Sequence, residues 1–182
     1  MTDPLTGYLR VKAVCVFMND DRILAIHGYD PTKGQSFWVP VGGRVEFGET
    51  SQEALAREIE EELSAEITDL HLLGVLENIF TFDGNDGHEI VFIYDARFSE
   101  PSMYRQDQVE GVEENQPFTA HWIDPNAPAD GRPLYPDGLA DLLASHPPPA
   151  SSHTGRSPSS PPKSILDSEH SSPPPPTREH GT

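Results

Sequence analysis

A short acidic helix that follows a glycine-marked loop constrains the fold of this chain more than any other stretch. Residues 42–65 read GGRVEFGETSQEALAREIEEELSA. Thr50 is a favoured N-cap residue, and the side chain of Glu53, three positions later, can return a hydrogen bond to the backbone N–H of Thr50. This capping box predicts a helix that begins at about Ser51.

The predicted helix carries an apolar stripe that must face a core. At about 100° per residue, Leu55, Ile59 and Leu63 follow one another at intervals of four, with Ala56 at the border of the stripe. This side of the helix is therefore expected to be buried.

Three carboxylates lie beside the stripe. Glu58, Glu61 and Glu62 are expected to converge on one sector of about 100° at the edge of the core. Like charges at these spacings destabilise a helix by about a few tenths of a kcal/mol each, so a cation is expected to compensate them. Carboxylates are the hard ligands that Mg²⁺ and Mn²⁺ prefer, which predicts a divalent metal site with Arg57 beside it. An arbitrary acidic helix would instead present a solvated face, as Glu53 and Glu60 are expected to do on the far side.

The spacing of these residues resembles a known signature. Reading from Gly43, the chain gives five residues, Glu49, seven residues and then REIEEELSA at positions 57–65. This resembles the Nudix box of the Nudix (MutT-type) hydrolases, G-x5-E-x7-R-E-U-x-E-E-x-G-U, in which U is a bulky apolar residue. The six matching fixed positions are Gly43, Glu49, Arg57, Glu58, Glu61 and Glu62.

Two positions depart from the signature. Ser64 stands where the family has glycine, and Ala65 stands where it has a larger apolar residue. A glycine just past a helix end usually adopts the left-handed conformation, which a serine adopts at a cost of roughly 1 kcal/mol. The departures concern the end of the helix, and every carboxylate of the signature is present.

The resemblance implies a role for each residue of the box. The expected metal ligands are the backbone carbonyl of Gly42 and the carboxylates of Glu58, Glu61 and Glu62. Glu61 is expected to act as a ligand or, through a bound water, as the base. Arg57 is expected to form an ion pair with Glu49 that ties helix to loop and aims the carboxylates. The cofactor implied is Mg²⁺ or Mn²⁺.

Further candidates lie outside the box. Members of the family often take one more carboxylate from a loop after the central sheet, and the three candidates by position are Glu110, Glu113 and Glu114. His88 and Glu89 are candidates for contact with phosphates, although a surface position in a hairpin explains His88 equally well. Phe37 and Trp38 either line a base pocket or pack in the core.

The remaining apolar runs predict the strands. Residues 8–18 and 22–29 are predicted to pair as a hairpin, and residues 37–41 form a strand that leads to the two glycines. A second hairpin is predicted from runs 71–82 and 88–98, joined by residues 83–87.

The C-terminal half of the predicted fold is simpler. Residues 103–115 are polar and read as a loop, and residues 118–124 read as the last strand. A final helix is expected from Asp137, its cap, with inward-facing side chains at Leu139, Leu142 and Leu143. The resemblance implies an α/β class fold, the Nudix α/β/α sandwich around a mixed sheet.

Composition divides the chain in two. Residues 147–182 are dominated by Pro and Ser and are predicted to be a disordered tail, whereas residues 1–146 are predicted to be the Nudix hydrolase domain. The tail carries three basic and three acidic residues, so the formal charge of −18 belongs to residues 1–146. Such an acidic domain repels duplex nucleic acid and anionic membranes, and an anionic substrate would need bound cations to enter.

Other features bear on the location of the protein. Cys15 is the only cysteine, which excludes an internal disulfide. The first residues lack a basic start, and the apolar run near Val11 is too short to span a bilayer, so no signal peptide and a cytoplasmic location are expected.

The resemblance implies a Mg-dependent pyrophosphohydrolase that cleaves a diphosphate bond in a nucleoside diphosphate linked to another moiety. A Nudix-fold module that binds or senses nucleotides without hydrolysing them is the alternative, and an acidic interaction domain is a third reading. Dinucleoside polyphosphates, (deoxy)nucleoside triphosphates and nucleotide sugars all stay open as substrates. Nudix domains are often dimers, so a homodimer also stays open.

Overall fold

Eight strands and two α-helices make up the part of the chain that the computed structural model describes, residues 8–128 and 131–146. The predicted tail at 147–182 lies outside the described residues. The strands are β1 (Arg10–Val16), β2 (Met18–Asn19), β3 (Arg22–Asp30), β4 (Gln35–Arg44), β5 (Ile67–Phe82), β6 (Asn85–Phe98), β7 (Gln108–Glu113) and β8 (Gln116–Ile123). The helices are α1 (Ser51–Leu63) and α2 (Leu139–Ser145), and a 3-10 helix spans Pro101–Arg105.

The strands form one mixed sheet in the order β5-β6-β1-β4-β3-β8-β7, with β2 paired to β3. β1 runs parallel to β6 and antiparallel to β4. β4 joins the two halves of the sheet, because residues 41–44 pair with β1 whereas residues 35–40 pair with β3. The glycines of the predicted site therefore lie where the chain passes from one half to the other.

The helices cover opposite faces of β1. Ala13 shares a buried cluster with Leu55 of α1, whereas the next residue, Val14, shares one with Leu139 of α2. Successive residues of a strand point to opposite faces, so α1 and α2 lie on different sides of the sheet. This arrangement confirms the predicted α/β/α sandwich.

Helix α1 begins and ends as the sequence indicates. The Thr50 hydroxyl accepts a hydrogen bond from the backbone N–H of Glu53, and the Glu53 carboxylate accepts one from the backbone N–H of Thr50, which confirms the capping box. The predicted stripe of Leu55, Ile59 and Leu63 is buried. Ala54 is fully buried beside it, whereas Ala56 is exposed, so the stripe widens on the side opposite to the one expected.

The first predicted hairpin is wrong in most of its length. Only Met18 and Asn19 pair with β3, and the preceding run forms β1, which lies between β4 and β6. The side chains from Ala13 to Phe17 are all buried, as expected of a strand covered on both faces. The unbroken apolar run was therefore the sign of a central strand.

The second predicted hairpin is confirmed, with a tighter turn. Phe82 pairs with Asn85, so the connection is Asp83-Gly84 alone, and both residues have positive φ. Asp-Gly is a favoured pair for such two-residue turns. β5 lies at the end of the strand order, and its pairing with β6 is interrupted by register shifts between Thr68 and His71 and between Leu72 and Gly74.

Two further expectations need correction. The segment predicted as a loop at 103–115 contains the end of the 3-10 helix and all of strand β7. Val109 of β7 is buried, but the acidic residues around it obscure the alternation of apolar and polar residues that would have predicted a strand. The last helix begins at Leu139 rather than Asp137, and its N-cap is Gly138, which makes no side-chain cap. Leu139 is fully buried, and Leu142 and Leu143 pack on the same cluster, as predicted. In the described part of the chain, no helix is long and apolar enough to cross a membrane.

The end of α1 yields a stability prediction. Ser64 has φ 50 and ψ 41, the left-handed conformation that the glycine of the signature adopts readily. Ser64→Gly is expected to raise the free energy of unfolding by about 0.5–1 kcal/mol, because relief of strain exceeds the added entropy of the unfolded chain. Urea denaturation measures the change.

Ser36→Gly is the matched control. Ser36 lies inside β4 and pairs with Tyr29, so the same replacement there is expected to lower stability by about 0.5–1 kcal/mol. Equal effects of the two substitutions would contradict the proposed role of the left-handed conformation at Ser64.

Candidate active site

Arg57 and Glu49 form a two-pronged ion pair between α1 and the loop before it. Nε of Arg57 donates to Oε1 of Glu49 at 2.8 Å, and Nη2 donates to Oε2 at 3.0 Å. These hydrogen bonds hold the pKa of Glu49 at about 2, with help from the backbone N–H of Glu46, and raise the pKa of Arg57. The predicted pairing of helix and loop is present.

The same guanidinium holds two more carboxylates. Nη1 of Arg57 donates to Oε1 of Glu58 at 3.0 Å and to Oε2 of Glu61 at 3.2 Å. Nη2 also donates to the backbone carbonyl of Arg44 at 3.1 Å. Arg57 therefore compensates the acidic cluster and fixes its position relative to the end of β4.

Neighbouring atoms lie so close to the backbone of β4 at Gly42 and Gly43 that neither position has room for a Cβ atom. A Cβ at Gly43 would lie 2.3 Å from the carboxyl carbon of Glu58, so this carboxylate rests directly on the backbone of β4. Gly42 has φ +127, and a Cβ there would lie 2.4 Å from the carbonyl oxygen of Ala13. These contacts place the backbone of β4 beside the acidic residues of α1.

Glu62 is the most deeply buried carboxylate of the box. Its residue is 7% exposed, and its Oε2 has no hydrogen-bond partner among the described residues. Burial raises its pKa to about 8, and the charges of Glu113 and Glu58 add to the rise, whereas Lys12 and the backbone N–H of Gly42 oppose it. A buried carboxylate oxygen without a donor is suited to receive a cation.

The three box carboxylates do not converge on one point. Among the described residues, no group of three His, Cys, Asp or Glu side chains is arranged to hold a metal ion. Glu58 and Glu61 turn to Arg57, and the side chain of Glu61 is 62% exposed, whereas Glu62 points into a cavity. The donor set still fits a hard cation, because Glu58 and Glu62 are close enough to interact electrostatically and one Glu62 oxygen has no donor.

The structure separates the candidates for a further carboxylate. Glu113, at the end of β7, lines the cavity and raises the pKa of Glu62. Glu110 accepts hydrogen bonds from Gln108 and Thr119 on the exposed surface, and Glu114 lies in the turn between β7 and β8. Glu113 is therefore the one of the three that lies near the box.

A cavity of about 670 Å³ opens beside Glu62. Phe37, Phe80, Phe82 and Tyr135 supply aromatic walls, and Lys12 also lines the cavity. Trp38 is buried and packs edge-on against His27 and His121, so core packing is its role. Phe37 is the one of the two sequence candidates that lines the cavity.

Sequence reasoning named Glu89 as a candidate for contact with phosphates but missed Arg10 and Asn78 in the cavity lining. Glu89 is buried in the cavity and pairs with Arg10, and Asn78 lines the same space. His88 lies on the outer face and contacts Glu77 at 2.9 Å, which agrees with a surface position in the hairpin. The signal that could have found Arg10 is the alternation of Arg10 and Lys12 with apolar residues in β1, since alternate residues share a face.

Comparisons with known proteins agree with the fold. A family model described as the NUDIX domain matches residues 9–139. The uncharacterised Nudix hydrolase YvcI of Bacillus subtilis strain 168 is 32% identical over 134 residues, which cover 70% of this chain and 78% of the relative. The crystal structure of a MutT Nudix hydrolase from Burkholderia pseudomallei superimposes with a TM-score of 0.51 and 29% identity, covering 66% of this chain and 86% of that one.

The raised pKa of Glu62 predicts how stability depends on pH. Between the ordinary value of 4.5 and about 8, the folded protein holds a proton that the unfolded chain has lost. Stability of the metal-free protein is therefore expected to fall as pH rises through this window and to level off above it. The Glu62 contribution is on the order of 5 kcal/mol, at about 1.4 kcal/mol per pKa unit.

Urea denaturation with a chelator, at steps from pH 5 to pH 9, measures this dependence. Glu62→Gln is expected to remove most of the decline, whereas Glu60→Gln, an exposed site on the same helix, is expected to retain it. A decline of equal size in all three proteins would contradict the assignment to Glu62.

Proposed function

The chain belongs to the Nudix family, and on that premise we propose that it is a metal-dependent pyrophosphohydrolase acting on a nucleotide or a nucleoside diphosphate conjugate. Membership of the family supports hydrolysis of phosphoric anhydrides in general. The observation that carries the proposal is the buried oxygen of Glu62, which has no donor among the described residues and belongs to a side chain that interacts with Glu58 and lines a cavity large enough for a nucleotide.

The proposed ligands are the carboxylates of Glu58 and Glu62, together with the backbone carbonyl of Gly42. Glu61 would be the third carboxylate ligand, and it would have to leave Arg57 to bind the metal, which its exposed side chain has room to do. Bound Mg²⁺ or Mn²⁺ would neutralise the diphosphate and lower the pKa of a water molecule.

The other residues of the site have two roles: they neutralise the charge of the phosphates and they orient the catalytic carboxylates. Lys12 lines the cavity and its charge acts on Glu62, so it would place a positive charge near a phosphate bound beside the box. Glu61 and Glu113 are the proposed acceptors of the proton from the attacking water, because one belongs to the box and the other lies beside Glu62. Arg57 and Glu49 are positioning residues, because their hydrogen bonds fix the loop and the helix relative to each other.

Turnover of a nucleotide panel tests the proposal. Cleavage of at least one of the nucleoside triphosphates, nucleotide sugars or dinucleoside polyphosphates is expected with Mg²⁺ or Mn²⁺, measured by chromatography as the appearance of a nucleoside mono- or diphosphate, and it is expected to stop on chelation. Glu62→Gln is expected to lower kcat by about 100-fold or more, because several kcal/mol of charge stabilisation is lost.

Glu60→Gln is the matched control and is expected to retain activity, since its side chain is exposed on the opposite side of α1. Full activity of Glu62→Gln would overturn the assigned ligand. Absence of turnover, combined with a nucleotide-induced rise in melting temperature, would favour the binding module without hydrolysis.

Arg57→Lys tests the positioning role. A lysine cannot make the two parallel hydrogen bonds to Glu49, so the carboxylates are expected to lose their alignment. The metal concentration for half-maximal activity is expected to rise by about 10- to 100-fold, with a smaller change in kcat at saturating metal.

Arg22→Lys, an exposed site at the start of β3, is the control and is expected to leave the metal dependence unchanged. An unchanged metal requirement in Arg57→Lys would contradict the positioning role.

A further inference from the structure

A row of three polar side chains crosses the cavity beyond Lys12. Arg10 of β1 pairs in register with Glu89 of β6, and Glu89 pairs in register with Asn78 of β5. All three line the cavity, although Glu89 is only 7% exposed and Asn78 only 9%. The pairing of the three strands thus places an amide, a carboxylate and a guanidinium side by side. Asn78, Glu89 and Arg10 are called the polar row below.

The polar row is not satisfied within the described residues. Arg10 donates from Nη2 to Oε1 of Glu89 at 2.5 Å, while its buried Nε has no partner. The side-chain amide of Asn78 makes no hydrogen bond to another described residue. Buried polar groups without partners destabilise a fold, so their presence in a cavity indicates a ligand that completes them. In the described part of the chain, two buried side-chain atoms have no partner, Arg10 Nε and Glu62 Oε2, and both belong to residues that line this cavity.

Aromatic rings flank the polar row. The guanidinium of Arg10 lies 5.9 Å from the ring centroid of Phe80, two residues from Asn78 on the same strand. Phe37 packs edge-on against Phe82 and Tyr135 at centroid distances of 6.2 and 5.5 Å. A wall of rings with a few polar groups suits a planar heterocycle better than a sugar, whose many hydroxyls would need more polar partners.

We propose that Glu89, Arg10 and Asn78 bind the edge of a nucleobase, and that they select keto bases (guanine, hypoxanthine, uracil or thymine) over amino bases (adenine or cytosine). A keto base carries a ring N–H next to a carbonyl oxygen. The carboxylate of Glu89 accepts from the ring N–H, and Nε of Arg10 donates to the carbonyl. The amide of Asn78 both donates and accepts, so it serves the remaining carbonyl or amino group.

Amino bases fit this row poorly. Adenine and cytosine present a ring nitrogen lone pair where keto bases present the N–H, and a carboxylate repels a lone pair. The aromatic walls of the cavity can pack against either class of base, so contact with the rings does not discriminate. The discrimination therefore comes from Glu89.

The position of the row agrees with the proposed reaction, on which this inference rests. Arg10 and Lys12 are two residues apart on one face of β1, a separation of about 7 Å. The base would occupy the polar row while the phosphates extend past Lys12 to Glu62. The polar row thus specifies the substrate as a keto-base nucleotide.

Nucleosides test this inference without phosphate, metal or hydrolysis. Inosine and adenosine differ in the keto or amino group of a purine, and uridine and cytidine differ in the same way as pyrimidines. Calorimetric titration of the full chain with each nucleoside, with chelator present, is expected to show about tenfold tighter binding of inosine than adenosine and of uridine than cytidine. The two pairs also show which ring size the cavity prefers.

Glu89→Gln is expected to abolish or reverse the preference, because an amide can donate to the ring nitrogen of an amino base. Glu77→Gln is the matched control, since Glu77 lies next to Asn78 on the exposed outer face and is expected to leave the preference unchanged.

Asn78→Leu is a second variant that tests the inference even if Glu89→Gln fails to fold. Its unpartnered amide contributes little to stability, so this variant is expected to keep or raise the melting temperature while weakening binding of inosine and uridine.

Equal affinities within both pairs, or no binding of any nucleoside up to its solubility limit, would overturn the inference. The turnover panel separates this failure from failure of the proposed function. Hydrolysis without a keto preference leaves the function standing and removes the inference. A keto preference in binding without hydrolysis leaves the base site standing and removes the hydrolase.

Discussion

The guanidinium of Arg57 is the interaction on which the acidic site depends. Its five N–H donors make five hydrogen bonds, two to Glu49 and one each to Glu58, Glu61 and the carbonyl of Arg44. A domain with a formal charge of −18 cannot otherwise hold so many carboxylates beside one short helix. The same hydrogen bonds connect α1 with the end of β4. One side chain therefore both compensates the carboxylate charges and fixes the backbone geometry of the site.

Strand β4 connects the hydrogen-bonded cluster around Arg57 to the cavity. Its last residues pair with β1 and bring Gly42 and Gly43 under the carboxylates of α1, while its earlier residues pair with β3 and carry Phe37 into the aromatic wall. Lys12 and Arg10 follow on the neighbouring strand. The acidic end and the aromatic end of the cavity are therefore placed by two adjacent strands, and no long loop is needed to position either.

The parts that sequence could predict are those set by local spacing. Thr50, Glu53 and the stripe at Leu55, Ile59 and Leu63 depend on neighbours within one or two helical turns, so the pattern determines them. The partners of β1, the strand at β7 and the place of Glu113 depend on pairing between distant segments, which spacing does not encode. Glu89 and Asn78 were missed as a pair for the same reason, since they meet only through the register of β5 and β6.

The irregular pairing of β5 has a consequence for association. As the edge of the sheet, β5 exposes backbone groups to which a strand of another molecule could add. Its register shifts lie in the first half of the strand, and unbroken pairing with β6 runs only from Gly74 to Phe82. Only about half of β5 is therefore regular enough to pair with a strand of another molecule. These irregularities protect a long, partly apolar edge strand against polymerisation.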